Sequence, residues 1–535
     1  MKKIYLLLIV TLLLSLALTG CKSDEPTHEH NYNHSVTVTD PTDTARGYTT
    51  YKCECGEGYV SQGEKASEGL TYYLNSDNTY TVTGIYNSSD NHVVIPSHYN
   101  GLPVVAIGDG AFKDVGIAKV AIPATVTKIG HLALCAGLNL DNVEVSVDNP
   151  NFTAIDGVLY TKDTKTLVQY PVGRDNTSFE IPSHVTAIGN GAFAKATELT
   201  SVTIPAGVTS IGAEAFKDCD KITEFKLPEA LTTIDSGAFA SCTALKTVNV
   251  PDSVTTIGDG AFYYCENLTA INIPNGITTI GEDTFAYCYK LTSVVIPDTV
   301  KSIGVNAFNF CDGLVSVHMS ASVQSIGDYA FTNCKKLTSI TLPDSLTYLG
   351  EWAFSWCESL KSANVPASVG VINSKLFYMC KSLEAIEIPE GITHIGDMAF
   401  YECYKIKSIF IPESVTSIEE KAFARCLGLE AIRVSVTNRC YASGNNNKAL
   451  YTHDGETLVQ YALGNDATGF TIAACVEKIS AGAFNGAENL LEIYFEKSSG
   501  WKVGNNEFSG EDLSDLKKAA YYLTDYYVSS DWVRE

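Results

Sequence analysis

Sixteen cysteines and ten histidines are the residues of this 535-residue chain whose types could do chemistry. A thiol serves as nucleophile, metal ligand or disulfide partner, and an imidazole as acid, base or ligand. Ten of the cysteines keep one beat: Cys219, Cys242, Cys265, Cys288, Cys311, Cys334, Cys357, Cys380, Cys403 and Cys426 stand 23 residues apart. A residue present in every unit of a repeat belongs to the core of that unit. These cysteines therefore read as buried thiols packing like small hydrophobes, stacked too nearly parallel for a disulfide dihedral and poor as nucleophiles. Cys440 and Cys475 break the beat and are left to pair with each other. Five histidines precede residue 100, and His318 and His394 sit in separate units without a distinctive Ser, Cys or Asp partner. Catalysis needs unlike groups converging at one place. No catalytic residue, no metal site, no cofactor and no enzymatic activity are expected. Near the start, His28, His30, His34, Cys53 and Cys55 suggest zinc. Cys53-Glu54-Cys55 is tighter than the usual Cys-x2-4-Cys ligand pair. A hairpin or disulfide stub is preferred to a metal site there.

The beat defines the elements. A unit reading roughly L-x-x-Φ-x-Φ-P-x-x-V-x-x-I-G-x-x-A-F-x-x-C-x-x, with Φ apolar, recurs ten times without a gap from Leu199 to Gly428. Its phenylalanine runs from Phe216 to Phe423, with Phe193 one unit earlier. A period of this length marks a solenoid whose coils bury their apolar faces only against their neighbours. In Leu291-Thr292-Ser293-Val294-Val295-Ile296 the first, fourth and sixth residues point inward on a strand. Pro297 then ends it, because proline cannot donate the next ladder bond. The V-x-x-I-G stretch is expected to turn the chain, and A-F-x-x-C to form a short helical or irregular return. Asp259, Glu282, Asp328, Glu351, Asp397 and Glu420 just before that return suit a helix N-terminus. They lack the clustered Asp/Asn/Gly spacing of a calcium ladder. About seven inward side chains per unit, each worth roughly 1.5–3 kcal/mol when buried, give every periodic residue a structural task. Function then belongs to the variable positions.

The fold class expected is an α/β leucine-rich-repeat solenoid, β-rich, with parallel strands on one face and the returns on the other. Six segments follow. Residues 1–20 are a signal peptide: Lys2 and Lys3 precede an apolar run from Ile4 to Leu18, too short for a lasting membrane span. Residues 21–69 begin at Cys21 and form a polar tether or a small His/Cys module. Residues 70–198 hold an N-terminal cap and irregular repeats with a hairpin insertion, and 199–428 the ten regular units. Residues 429–500 carry a second insertion and the last repeat. "LYTKDTKTLVQYPVG" in the first insertion and "LYTHDGETLVQYALG" in the second share one core, and Asp454-Gly455 marks a tight hairpin turn. Residues 501–535, bordered by Trp501 and Trp532, leave the repeat and read as a C-terminal cap.

A net charge of −24 argues against nucleic acid and anionic membrane surfaces as partners. Among variable positions, the pair between the phenylalanine and the cysteine is rich in rings. Tyr263, Tyr264, Tyr287, Phe310, Trp356, Tyr378 and Tyr401 occupy it, with Tyr289 and Tyr404 just past the cysteine. Coils stacked in register line these up along one flank as candidate ligand-binding residues, since exposed aromatics bind proteins and also stack on sugars. The alternative is that the rings half-bury against neighbouring coils.

Three resemblances add to this reading. Leu18-Thr19-Gly20-Cys21 resembles the bacterial lipobox, which implies lipidation of Cys21 and a mature chain anchored on the outer face of a bacterial membrane. The segment around Cys53 and Cys55 resembles small His/Cys modules near the start of exported bacterial proteins. The unit itself resembles the BspA-like leucine-rich repeats of bacterial surface proteins over roughly residues 70–535, including both insertions and the "AAYYLTDYY" ending. That resemblance implies an adhesin whose partners are extracellular or cell-surface proteins, and the chain is expected to be a monomer. A glycan-binding envelope protein and a passive surface spacer are the competing readings.

Overall fold

The computed structural model describes residues 35–52, 58–62, 65–86, 91–135 and 139–535. The signal segment, Cys21, His28, His30, His34, Cys53 and Cys55 lie outside the described residues.

The regular units wind into a parallel β-solenoid in which a coil contributes two strands, except that Ala385 keeps only an isolated bridge to Ser362 in place of the first. The first is the expected one: Ser293–Val295 pairs in register with Ser316–His318 of the next coil, Val294 facing Val317. The second lies in V-x-x-I, which was expected only to turn. There Thr279–Ile280, Ser302–Ile303 and Ser325–Ile326 pair in register, building a second narrow sheet. Two residues suffice for a strand here because the neighbouring coil supplies the ladder. Both sheets aim their apolar residues at one core. In a single coil Leu291, Val294, Ile296, Val300, Ile303, Ala307, Phe308 and Cys311 are all buried.

The third side is the return, and it carries no helix in the regular units. Two residues of every return, the one two before the phenylalanine and the one two after it, sit in the left-handed region, as Asp283 and Tyr287 do at φ +53° and +62°. Left-handed backbone costs a non-glycine residue roughly 1–2 kcal/mol. It also turns backbone N–H groups out of the coil. Phe285 donates to the carbonyl of Ala307 in the next coil at 2.9 Å, and Tyr287 to that of Asn309 at 2.7 Å. The return is thus an irregular hydrogen-bonded ladder, of the two alternatives the irregular one. With no helix to cap, the acidic residues before it act between coils: Asp259 and Asp328 accept from the backbone N–H of Glu282 and Glu351 at 2.9 Å.

Two internal ladders run along the core. Neighbouring rings from Phe193 to Phe423 stack with centroids 5.0–5.9 Å apart and planes within 17°. Beside them each ladder thiol donates to the carbonyl oxygen of the phenylalanine 26 residues earlier, at 3.1–3.4 Å. Burial pushes the thiols of Cys265, Cys357 and Cys426 up to about 12. Cys440 and Cys475 are both free thiols, half-buried and exposed respectively, so the expected pairing between them does not form.

The period breaks twice, and both breaks fold alike. Phe152–Ile155 pairs antiparallel with Val158–Thr161 in the first, Tyr441–Gly444 with Ala449–Thr452 in the second. One buried asparagine clamps each. Asn149 Nδ2 donates to the carbonyls of Pro123 and Val126 at 2.8 and 2.9 Å, while its Oδ1 accepts from the N–H groups of Asn151 and Phe152. Asn438 repeats this with Pro412, Val415, Cys440 and Tyr441.

At the N-terminal end Ser35–Thr39, Tyr48–Lys52 and Gly58–Gln62 form an antiparallel sheet. The residues between its first two strands dock on the solenoid: Ser97 N–H donates to the Pro41 carbonyl, and Asp40 accepts from the Ala124 N–H at 2.6 Å. Residues 35–52 and 58–62 thus carry a small sheet of their own. At the other end Trp532–Arg534 pairs antiparallel with Lys478–Ile479 and covers that sheet's last edge. Trp501 and Trp532 are fully buried there, and Asp515 caps the short helix Leu516–Tyr521.

Candidate functional site

The return ladder decides where the ring-bearing side chains go. The residue two after each phenylalanine keeps its left-handed backbone whatever its identity: Asp218, Ser241, Tyr264, Tyr287, Phe310, Asn333, Trp356 and Met379 all have φ between +56° and +62°. Its N–H is spent on the next coil, so the side chain projects along one flank, aligned with its counterparts. The nine residues Tyr263, Tyr264, Tyr287, Tyr289, Phe310, Trp356, Tyr378, Tyr401 and Tyr404 are all half-buried on this flank.

They do not make one continuous stripe. Tyr263, Tyr264, Tyr287, Tyr289 and Phe310 form a first cluster with ring centroids 4.9–6.2 Å apart. Trp356, Tyr378 and Tyr401 form a second. The coil between carries Thr332 and Asn333 at the ring positions. Thr332 is buried and bonds to the Trp352 carbonyl and the Ser355 hydroxyl. Two further rings join the second cluster from the other left-handed position of the return: Trp352 stacks on Tyr329 at 5.8 Å and meets Tyr378 at 5.3 Å. Sequence reasoning missed Tyr329 and Trp352 because it considered rings only between the phenylalanine and the cysteine and just past the cysteine. The signal available was their recurrence two residues before the phenylalanine.

Orientation matters more than number. Tyr287 stacks on Phe310 at 4.9 Å with planes 8° apart, and Tyr378 on Tyr401 at 5.1 Å with planes 7° apart. Lys375 Nζ lies 4.7 Å from the centroid of the Trp352 ring. In each of these stacked pairs one face of either ring is covered by its neighbour. Burial lifts the phenols of Tyr263, Tyr378 and Tyr401 above their usual range, and a hydrogen bond to Glu266 does so for Tyr264. These hydroxyls remain protonated donors at neutral pH. Tyr404 donates to Glu402 at 2.6 Å, and Arg425 binds the other oxygen of that carboxylate at 2.9 Å. On the strand side Val295 and Phe410 are more open, 63 % and 51 % exposed, but stand singly.

The two histidines of the regular units stand in separate coils. His318 is exposed on the strand side, and His394 Nε2 lies 3.0 Å from Glu419. Among the described residues, no group of three or more His, Cys, Asp or Glu is placed to hold a metal ion, and no helix is long and apolar enough to cross a membrane.

Coils with in-register parallel strands and internal phenylalanine and cysteine ladders define a leucine-rich-repeat solenoid. The chain belongs to the BspA-type leucine-rich repeat family, whose six-copy repeat region matches residues 86–165, 173–292, 278–381, 353–444 and 460–523. Among solved structures it is similar to a leucine-rich repeat protein from Bacteroides ovatus, with 26 % identity, 80 % of this chain and 94 % of that one covered, and a TM-score of 0.49. It is also similar to a leucine rich cell surface protein from Faecalibacterium prausnitzii, with 29 % identity, coverage of 69 % and 94 %, and a TM-score of 0.38. A leucine-rich repeat protein from Eubacterium ventriosum matches at 23 % identity, with coverage of 54 % and 92 % and a TM-score of 0.36. No curated protein matches the chain.

Proposed function

We propose that this protein is a non-catalytic binding module of the bacterial cell surface, anchored through Cys21, that holds extracellular or cell-surface proteins on the aromatic flank of its solenoid. The observation that carries the reading is the pair of ring clusters set in register by the return ladder. Half-buried tyrosine and tryptophan side chains suit protein interfaces, where such residues bring large contact area at small entropy cost. The glycan alternative needs ring faces, because a sugar stacks its apolar C–H face on an open π surface. Here Tyr287 and Phe310, and Tyr378 and Tyr401, each cover one face of the other, and Lys375 lies over Trp352, which leaves fewer open faces for a sugar. The lipobox-like Leu18-Thr19-Gly20-Cys21 supports surface anchoring. Membership of the BspA-type family supports a binding role over catalysis.

The test is capture by purified residues 22–535 on a panel of extracellular proteins and, in parallel, on a glycan array. The reading expects saturable protein capture that weakens when Tyr264, Tyr287, Phe310 and Trp356 are replaced by asparagine. Asparagine is the native occupant of the same left-handed position at Asn333. Saturable binding to glycans alone would decide for the alternative, and no saturable ligand at all for a passive spacer.

A further inference from the structure

Each sheet of a solenoid ends on a strand edge, and an unpaired edge recruits further strands. At three of the four ends the edge is closed or charged. On the first sheet Ser67 caps His92–Val94. Its N–H donates to the Val94 carbonyl at 3.0 Å, and its hydroxyl donates to the His92 carbonyl at 3.2 Å and accepts from the Val94 N–H at 2.9 Å. At the other end of that sheet the helix Leu516–Tyr521 packs against Glu492–Phe495. On the second sheet Trp532–Arg534 covers Lys478–Ile479, and the extension ends at Asn506–Phe508, where exposed Glu507 places a charge on the edge.

The fourth end differs. Lys128–Ile129, Leu102–Ile107, Tyr80–Ile85 and Leu70–Leu74 pair in that order, and among the described residues no strand lies beyond Leu70–Leu74. Its sequence, Leu-Thr-Tyr-Tyr-Leu, has neither the charge nor the proline that commonly protects an edge. Tyr73 and Leu74 are 64 % and 50 % exposed, and Tyr86 beside them 74 %. The one bulge of the hairpin puts its extra residue, Thr83, on the inner strand and leaves Leu70–Leu74 regular. Tyr86 N–H donates to the Gly69 carbonyl and Asn75 N–H to the Thr79 carbonyl, both at 2.8 Å. Antiparallel residues alternate between bonded and non-bonded pairs. Gly69, Thr71, Tyr73 and Asn75 are therefore bonded inward, and Leu70, Tyr72 and Leu74 direct their N–H and C=O groups outward.

We propose that this edge joins two copies of the chain, by antiparallel pairing of Leu70–Leu74 with its own counterpart across a two-fold axis, in place of the monomer expected from the sequence. Such an interface needs a patch that complements itself. The three outward residues are symmetric about Tyr72. Turned by the axis, Tyr72 meets Tyr72 and Leu70 meets Leu74 as bonded pairs, each residue giving one N–H and receiving one. The pair between them sets each Tyr73 ring beside the other copy's Thr71, a cross-strand contact of the stabilising kind. On a chain of net charge −24 most surfaces repel their own copies, but no charge of one Leu70–Leu74 strand faces a charge of the other. The aromatic flank takes no part in this pairing.

Sedimentation equilibrium of residues 22–535 over a wide concentration range tests it. The expected result is a reversible rise in mass from one chain to two, with nothing larger. Leu74→Pro removes an outward N–H and keeps the bonds to Tyr80–Ile85, so the dimer weakens at least tenfold while the fold is retained. Tyr73→Lys, which places a charge on the edge, gives a weakening of the same sign should the proline variant fail to fold. Tyr494→Lys alters an exposed tyrosine at the opposite end of the solenoid and leaves association unchanged. A single-chain mass at every concentration, a dimer kept by both edge variants, or one lost equally in Tyr494→Lys would each overturn the proposal. The asparagine substitutions on the aromatic flank leave the dimer intact. A dimer without protein capture would thus count against the flank alone, and capture by a monomer against the edge alone.

Discussion

Thiol labelling of the native protein separates the ladder cysteines from exposed Cys475 by orders of magnitude. Only thiolate reacts, and burial raises Cys265, Cys357 and Cys426 from the ordinary 9.0 to about 12. At pH 8 an ordinary thiol is about one-tenth ionised, whereas one titrating near 12 is ionised about one part in ten thousand. That alone slows alkylation roughly a thousandfold, before steric exclusion from a core in which these sulfurs have no exposed surface. The remaining ladder thiols are shifted in the same direction by the same cause. The assay is iodoacetamide labelling at pH 8, with and without guanidinium, read by peptide mapping so that each cysteine reports separately. Exposed Cys475 labels before half-buried Cys440. All ten ladder cysteines stay unlabelled until guanidinium is added. Labelling of Cys311 or its neighbours at the rate of Cys475 in the folded protein would refute the packing described for the core.

Three further outcomes follow from the same packing. Phe308→Ala removes a buried ring stacked between Phe285 and Phe331 at 5.2 and 5.1 Å and should cost about 3–5 kcal/mol in chemical denaturation. A loss below about 1 kcal/mol would show that the ring ladder is not tightly packed. Asn438→Ala breaks four hydrogen bonds and strands buried backbone groups, for an expected loss of about 2–4 kcal/mol. Asn149→Ala should match it, because its partners are equivalent; a large difference between the two would argue against the duplicated fold of the breaks. The raised thiols also set a pH dependence. A group that binds its proton more tightly in the folded state gives stability that is whole below the unfolded value, here about 9, and is lost as pH rises toward the folded value. Each such thiol removes up to about 1.4 kcal/mol per pH unit in that window. Unfolding monitored by circular dichroism should therefore set in steeply above pH 9. Replacing Cys265, Cys288 and Cys311 by alanine should flatten the slope of stability against pH, and an unchanged slope would contradict the assignment.

Much of this fold is legible in the sequence because a repeat states its core again in every coil. The phenylalanine and cysteine positions, the inward residues of the first strand and the two period breaks are all readable from spacing alone. The second sheet is not, since a two-residue strand such as Ser302–Ile303 has no alternation of its own and exists only through the coils on either side. Nor is the return: Asp218, Ser241, Tyr264 and Trp356 share a left-handed backbone that no common side-chain preference announces, because hydrogen bonds to the next coil impose it. For the candidate site, the sequence identified which residues align. It could not show that Thr332 and Asn333 divide them into two clusters, that Tyr329 and Trp352 belong with them, or that their faces turn toward one another. Those are properties of stacking between coils. The clamps Asn149 and Asn438 were likewise hidden, each being a single polar residue inside a loop-like segment whose partners lie 23–26 residues away.

The central claim is that the aromatic flank binds protein. Its most direct test is side-by-side capture by residues 22–535 and by the folded Tyr264→Asn/Tyr287→Asn/Phe310→Asn/Trp356→Asn variant on the extracellular-protein panel. The account predicts saturable capture by the former and at least a tenfold weaker affinity for the latter, with the thermal unfolding of both retained. Equal capture by the two, or saturable binding only on the glycan array, would contradict it.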